Sequence, residues 1–520
     1  MSDSADLGLL PQPTQVQRHG GRLRLPDRAP VAADDQVLDL LNRLVTPGTG
    51  VRFVPADGHD RALVRAEVDS EQPAGGYLLD IDESRIHLVA SDDDGFRHAV
   101  LTLLQLLPAA AHAPAPLDAL DRSVPCVHIE DRPRLGWRGM HLDVGRHFQP
   151  YGFLLRFVDL LELHKFNVFH LHLTEDQGWR FEVRKYPKLT EVGAWRTETW
   201  MRSAAAYDGT PHGGFYTQDQ LRALVAYAAQ RGITVVPEID LPGHVRALLA
   251  AYPQAGELSE NLPVATRFGI FKEVLNLTDE TVSMVEDIFT ELLDVFPSRY
   301  IHIGGDETPR DQWRASEQAA RLANERGLAG VDELQRWFTE HLRGWLADRG
   351  RTLIGWDEIV DGAEVPGATV MSWRGAGPGQ AAAAEGYDVV MAPSSHTYFD
   401  HYQSADPDEP FAIGGHTPLA KVHAFDPFDG VDEAHRQHII GVQGQLWTEY
   451  LPTPGHVEYQ AFPRACALAE VAWSGVGQPD FADRLAVHLR RLDALGVNYR
   501  PPTGPHPWQR GGVGRFRRSN

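Results

Sequence analysis

Apolar and polar positions along the chain fall into two regimes. Before about residue 130, short stretches alternate at the two-residue period of half-buried strands, at 62–68, 76–80 and 85–90. A helical spacing follows. Ser91-Asp-Asp-Asp-Gly95 supplies cap and turn residues, Phe96 to Leu107 carries apolar residues three and four apart, and Pro108 ends the run. The Ala- and Pro-rich stretch 109–116 is expected to be a linker. Together these predict a small α+β unit over residues 1–130.

From Gly136 onward, apolar runs of strand length alternate with longer amphipathic segments. Strands are predicted at 136–144, 167–173, 233–239, 300–304, 352–356, 369–373, 388–391 and 439–446, and helices at 153–164, 217–231, 279–296 and 331–347. One final helix is predicted at 458–473. Eight strands alternating with helices predict an α/β fold, a (β/α)8 TIM barrel over residues 131–500. A doubly wound open sheet would usually carry a Gly-rich phosphate turn after its first strand, and none is present. Residues 501–520 are rich in Pro, Gly and Arg, with Arg510, Arg515, Arg517 and Arg518, and are expected to form a flexible tail.

Composition narrows the partners. With 49 basic against 71 acidic side chains, the 520-residue chain carries a net charge of −22, which disfavours nucleic acid and anionic membrane surfaces. The most apolar run, 99–111, is interrupted by Thr102, Gln105 and Pro108 and falls short of the roughly 20 apolar residues a membrane span needs. Met1 to Thr14 lacks a basic stretch followed by an apolar one, so a cytoplasmic location is expected. The two cysteines, Cys126 and Cys466, have apolar neighbours and are expected to be buried thiols.

In a barrel the chemistry sits where strands end. The predicted strand ends read Asp143-Val-Gly-Arg146, Leu173-Thr-Glu-Asp176, Glu238-Ile-Asp240-Leu-Pro-Gly-His244, Gly304-Gly-Asp306-Glu307, Trp356-Asp-Glu358, Trp373-Arg374, Tyr398-Phe-Asp400 and Trp447-Thr-Glu449. Trp356, Trp373, Tyr398 and Trp447 suit the apolar faces of a pyranose ring, and Arg146, Asp400 and Glu449 suit its hydroxyls. Asp306 and Glu307 are adjacent carboxylates after two glycines. Mutual repulsion and burial are expected to raise one pKa of the pair, as a general acid near neutral pH requires. His141, His170, His172 and His302 lie before the strand ends. They are expected to be hydrogen-bonded interior residues, although an H-x-H pair on a barrel strand is also the mark of metal-dependent amidohydrolases.

At these residues the chain resembles glycoside hydrolase family 20, the β-N-acetylhexosaminidases. The resemblance lies in Leu142-Asp-Val-Gly-Arg-His-Phe148, Phe169-His-Leu-His-Leu-Thr-Glu-Asp-Gln-Gly-Trp179, Pro237-Glu-Ile-Asp-Leu-Pro-Gly-His244, Ile301-His-Ile-Gly-Gly-Asp-Glu307, Gly355-Trp-Asp-Glu358 and Leu446-Trp-Thr-Glu449. It implies an exo-acting, retaining enzyme for terminal GlcNAc or GalNAc whose substrate supplies its own nucleophile, the 2-acetamido carbonyl. It further implies Glu307 as general acid/base and Asp306 as the residue holding the acetamido N–H. Arg146, Asp400 and Glu449 would hold ring hydroxyls and Tyr398 the acetamido oxygen, with Trp356, Trp373 and Trp447 as walls. Asp176 and His244 would orient the catalytic pair. No cofactor and no metal are implied. Thr308-Pro309-Arg310 departs from the family pattern, and the loops near 251–272 and 401–438 are expected to set the aglycone. The competing readings are a catalytically silent sugar-binding barrel, which would not need Asp306 and Glu307, and a metal-dependent amidohydrolase.

Overall fold

The computed structural model describes residues 7–362 and 364–510. An N-terminal unit packs beneath a closed barrel. Its seven-stranded sheet runs, in spatial order, Gln15–Arg24, Ser123–Asp131, Tyr77–Ile81, Ile86–Ala90, Val64–Val68, Arg28–Ala32 and Arg52–Pro55. The helix Asp93–Leu106 lies against this sheet, and its cap is Asp92, whose carboxylate accepts the Gly95 N–H at 2.8 Å. Four of the seven strands escape the alternation pattern. Gln15–Arg24 has one buried residue in ten and contains Gly20-Gly21, so it carries no apolar stripe. Residues 109–116 are not a free linker. Ala109–His112 forms a 3-10 turn with Ala111 and His112 buried, and the chain then returns into the sheet as Ser123–Asp131.

The barrel strands are β1 (Trp137–Asp143), β2 (Val168–His172), β3 (Thr234–Glu238), β4 (Tyr300–His302), β5 (Thr352–Trp356), β6 (Thr369–Ser372), β7 (Asp388–Met391) and β8 (Ile439–Gly444), all parallel and closed by β8 pairing with β1. The outer helices include α1 (Tyr151–Leu163), α2 (Gln218–Ala229), α3 (Asp279–Val295), α4 (Leu334–Ala347) and α5 (Ala376–Ala384). At the start of α2, a Thr217–Gln220 capping box satisfies two backbone donors reciprocally. After β8 the single helix expected is two, α6 (Pro454–Ala461) and α7 (Arg464–Trp473), because Pro463 has no N–H to continue the ladder. A further helix, α8 (Phe481–Ala494), packs on the 109–112 turn. Residues 501–510 fold back: the Gln509 amide donates to Asn498 Oδ1 and the Tyr499 carbonyl, and Arg510 meets Asp408 at 3.1 Å. Arg515, Arg517 and Arg518 lie outside the described residues. No helix among the described residues is long and apolar enough to cross a membrane.

Register sets up an unusual interior. Asp143 pairs with His172, His172 with Glu238, and Glu238 with His302, so one layer near the strand ends is polar where barrels normally stack branched aliphatics.

One of the buried groups that join the barrel and the N-terminal unit is a carboxylate. Asp131 accepts from Lys165 Nζ at 3.0 Å, Tyr77 OH at 2.8 Å and Trp473 Nε1 at 2.9 Å, and the ammonium also sits 4.3 Å from the Trp473 ring. Asp131→Asn would leave a fully buried Lys165 without its counter-charge. Breaking such a pair is expected to cost about 3–5 kcal/mol, measured as a lower urea midpoint. A midpoint unchanged from the parent would show that the pair does not hold the two units together.

Candidate active site

The loops after β1 and β8 are tied by Asp143, which is fully buried. Its Oδ1 accepts the N–H groups of Gly145 and Arg146 at 2.8 and 3.0 Å, and its Oδ2 accepts the N–H and hydroxyl of Thr448 at 3.0 and 3.1 Å. This brings Arg146 beside Trp447, with the guanidinium 4.8 Å from the ring centroid, and beside Glu449. Arg146 Nη2 lies 2.6 Å from Glu175 Oε1. Burial works against its charge, yet Glu175, Asp143 and Glu449 hold it fully protonated.

The turn after β4 shapes the carboxylate pair. Gly304 and Gly305 have φ of 70° and 96°, and a Cβ on Gly304 would lie 1.7 Å from Asp240 Oδ1. The Gly305 N–H donates to that same oxygen at 3.1 Å, and Gln335 from α4 donates to the Gly305 carbonyl at 2.7 Å. Glu307 has φ 45°, a left-handed conformation uncommon for a side chain of its size, and this re-aims it away from Asp306. His244 is likewise left-handed, at φ 52°. Its Nδ1 lies 3.1 Å from both Glu175 Oε2 and Asp176 Oδ2, and its Nε2 lies 3.5 Å from Glu307 and 3.9 Å from Asp306. Although burial opposes it, these carboxylates hold His244 protonated well above the ordinary imidazole range.

The walls close around this pair. Trp356 is fully buried and donates to Glu238 Oε1 at 2.9 Å; Trp373 donates to Glu358 Oε2 at 2.9 Å and stacks on Tyr398, with centroids 6.1 Å apart. Trp447 lies 5.5 Å from Trp356 and 6.3 Å from Tyr398. The segment carrying Tyr398 and Asp400 is pinned by Arg464 of α7, which donates to the carbonyls of Phe399, His401 and Thr417. Among the buried polar atoms around this space that lack a hydrogen-bond partner are Asp306 Oδ1, Asp400 Oδ1 and Glu449 Oε2. Buried polar atoms are nearly always satisfied, so such a set marks where a polyhydroxy ligand completes the network.

Negative charge is in excess. Burial and the charges of Glu238, Glu307 and Glu175 push Asp306 up to about 6 against the pull of His244. Burial and Asp306 push Glu358 up to about 8. Burial and Asp306 hold Asp240 well above the carboxylate range, and burial and Glu449 do the same to Asp400. Asp306 therefore carries a raised carboxyl within the pair. The reason is position: Asp306 sits inward among the carboxylates of the polar layer, and the Glu307 side chain is one-third exposed beside His244.

The expected site residues thus converge at one end of the barrel. Those that did not stand out from sequence are Asp143, Glu175, Glu238, Asp240 and Glu358. Each occurs in a strand-end motif, but its partners lie on other strands. The interior histidines meet Glu238: His172 Nδ1 lies 2.5 Å and His170 Nε2 3.0 Å from Oε2, and His302 Nδ1 lies 3.0 Å from Oε1.

The model of the glycosyl hydrolase family 20 catalytic domain matches residues 135–476, and that of the family's domain 2 matches residues 6–132. The chain belongs to glycosyl hydrolase family 20. It is a glycoside hydrolase of the β-hexosaminidase type. A beta-hexosaminidase of Porphyromonas gingivalis is 38% identical over 98% of this chain, and the match spans 66% of that relative's length. A beta-N-acetylhexosaminidase of Cellulomonas fimi is 32% identical, covering 95% of this chain and 96% of the relative. The N-acetyl-beta-hexosaminidase of Streptomyces plicatus in complex with thio-NAglucal superposes with a TM-score of 0.82 at 30% identity, covering 96% of this chain and 97% of that one.

The raised Asp306 has a signed consequence. Its folded value of about 6 lies above the ordinary aspartate value of 3.8, so the native state binds more protons between those pH values and loses stability as pH rises through them. Asp306→Asn is therefore expected to be more stable than the parent above pH 6, by on the order of 1–3 kcal/mol, and to gain nothing below pH 4. Melting temperatures at pH 4 and 7.5 check this. An equal shift at both would refute the electrostatic origin.

Proposed function

We propose that this chain is an exo-acting, retaining β-N-acetylhexosaminidase that removes a terminal, non-reducing GlcNAc or GalNAc by substrate-assisted catalysis. The observation that carries this reading is the divergent pair at the β4 turn. Asp306 is buried within electrostatic reach of Tyr398 and Arg146, and Glu307 is turned to His244 with its side chain one-third exposed. The walls fit one sugar ring, and Arg146 with the unpaired oxygens of Asp400 and Glu449 closes the far end against its hydroxyls, which favours a terminal residue over a long chain.

In this reading the 2-acetamido carbonyl oxygen attacks the anomeric carbon as the glycosidic C–O bond breaks, giving a cyclic oxazolinium. Glu307 gives its proton to the departing oxygen, then takes one from the water that reopens the ring on the same face. Asp306 accepts the acetamido N–H. Positive charge growing beside it favours its ionised form, so its raised pKa in the free enzyme converts into stabilisation of the transition state. Tyr398 donates to the acetamido oxygen. Trp356, Trp373 and Trp447 wall the acetyl group and the ring. The carboxylates of Asp176 and Glu175 keep His244 charged toward Glu307. A cavity of about 380 Å³ lined by Ile270, Glu307, Arg310 and Glu358 supports an aglycone side bordered by the 251–272 loop and the divergent Thr308-Pro309-Arg310 segment.

Hydrolysis of nitrophenyl β-N-acetylglucosaminide, with no cleavage of the plain β-glucoside, is the expected result; equal rates on both would indicate an enzymic carboxylate nucleophile. Glu307→Gln is expected to lose about 10²–10⁴-fold on substrates with poor leaving groups and much less on activated aryl glycosides. Uniform losses would remove it from the acid role. Asp306→Asn is expected to lower kcat far more than it raises KM, and a change confined to KM would contradict its assignment.

A further inference from the structure

Remote from the sugar pocket, three fully buried side chains from three elements meet in the core. His164 follows the end of α1, Cys466 lies in the first turn of α7 and His488 lies within α8. His164 Nε2 stands 3.4 Å from Cys466 Sγ and 3.0 Å from His488 Nε2. The other ring nitrogen, Nδ1, lies 2.6 Å from the Leu160 carbonyl oxygen, to which it can only donate. His164 Nε2 is therefore an acceptor with a single in-plane lone pair. A thiol and a second imidazole nitrogen both face that lone pair, and two protons cannot be donated along it.

We propose that Cys466, His164 and His488 form a binding site for a thiophilic d10 cation, Zn2+ or Cu+. Zn–N bonds of about 2.0 Å and Zn–S bonds of about 2.3 Å put the ligand atoms of a tetrahedral centre roughly 3.3–3.6 Å apart; here two of the spacings are 3.4 and 3.0 Å and all three ligand atoms lie within 4.8 Å of one another. The Leu160 carbonyl fixes the His164 tautomer as a backbone acceptor does for ligating histidines generally. Binding replaces the thiol proton, which leaves to solvent as the metal–sulfur bond forms. The thiolate cancels one unit of the cation's charge beside Arg491, whose guanidinium is engaged by the carbonyls of Gly8 and Gln105 at 2.6 and 2.7 Å and stands 3.5 Å from His488 Nδ1. His112, on the turn that α8 packs against, lies within electrostatic reach of His488. A cation here would clamp α1, α7 and α8 together and, through the turn bearing His112, the N-terminal unit.

The test uses the full-length protein. After expression in zinc- or copper-supplemented medium and desalting, about one equivalent of metal per chain is expected by mass spectrometry, and the supplement that fills the site tells Zn2+ from Cu+. Chelator-treated protein is then titrated with Co2+, and a thiolate-to-cobalt charge-transfer band is expected. The chain has only two cysteines, so Cys126→Ser leaves Cys466 as its sole thiol and should keep the band, whereas Cys466→Ser should lose it. Re-adding Zn2+ or Cu+ should raise the melting temperature of the parent and of Cys126→Ser. Should Cys466→Ser fail to fold, the parent and Cys126→Ser decide alone. A parent that takes up none of the three metals, or a band that disappears in Cys126→Ser, overturns the proposal.

Discussion

More carboxylates than cations are buried at the mouth of this barrel, and the rest of the site is arranged around that imbalance. Asp143, Glu175, Asp176, Glu238, Asp240 and Asp306 are all buried, with Arg146, His172 and His244 as the nearest compensation. Unpaired charge in a dry interior is costly, so the surplus is met with protons: Asp306, Asp240, Asp400 and Glu358 all bind theirs more tightly than a free carboxyl would. The free enzyme thus holds negative potential in reserve, and a glycosyl centre becoming positive is the species that benefits from it.

Geometry and electrostatics meet in Glu175. One oxygen engages Arg146 and the other His244, so the group expected to grip the sugar and the group facing Glu307 share a counter-ion. That shared anchor follows the end of β2, while Asp143 joins β1 to the loop after β8 and Asp240 supports the turn after β4. Side chains from four strands therefore depend on one another for charge as well as for position.

Much of this was legible in the sequence because a barrel concentrates its chemistry at strand ends, and the strands themselves are apolar runs of fixed length. All eight were recoverable, and the residues that crowd their ends, from Arg146 to Glu449, converge in space. What was not legible has physical reasons. The role of Glu238 depends on His170, His172 and His302 arriving from neighbouring strands, which no local pattern encodes. The strand Gln15–Arg24 lacks an apolar face and exists because Ser123–Asp131 offers it a partner. The break between α6 and α7 turns on one residue, Pro463, within an apolar pattern that runs on through it.

The grip of Arg464 divides the long excursion between β7 and β8 into two parts. Its guanidinium clamps the backbone at Phe399, His401 and Thr417, so both ends of the 402–416 stretch are fixed to α7 whatever happens between them. Tyr398 and Asp400 sit on the clamped side. The intervening stretch has anchors of its own, the Gln403 amide on the Tyr459 carbonyl and Glu409 accepting from Tyr459 and Arg500, so the two side chains near the pocket and the outer stretch are held by different groups.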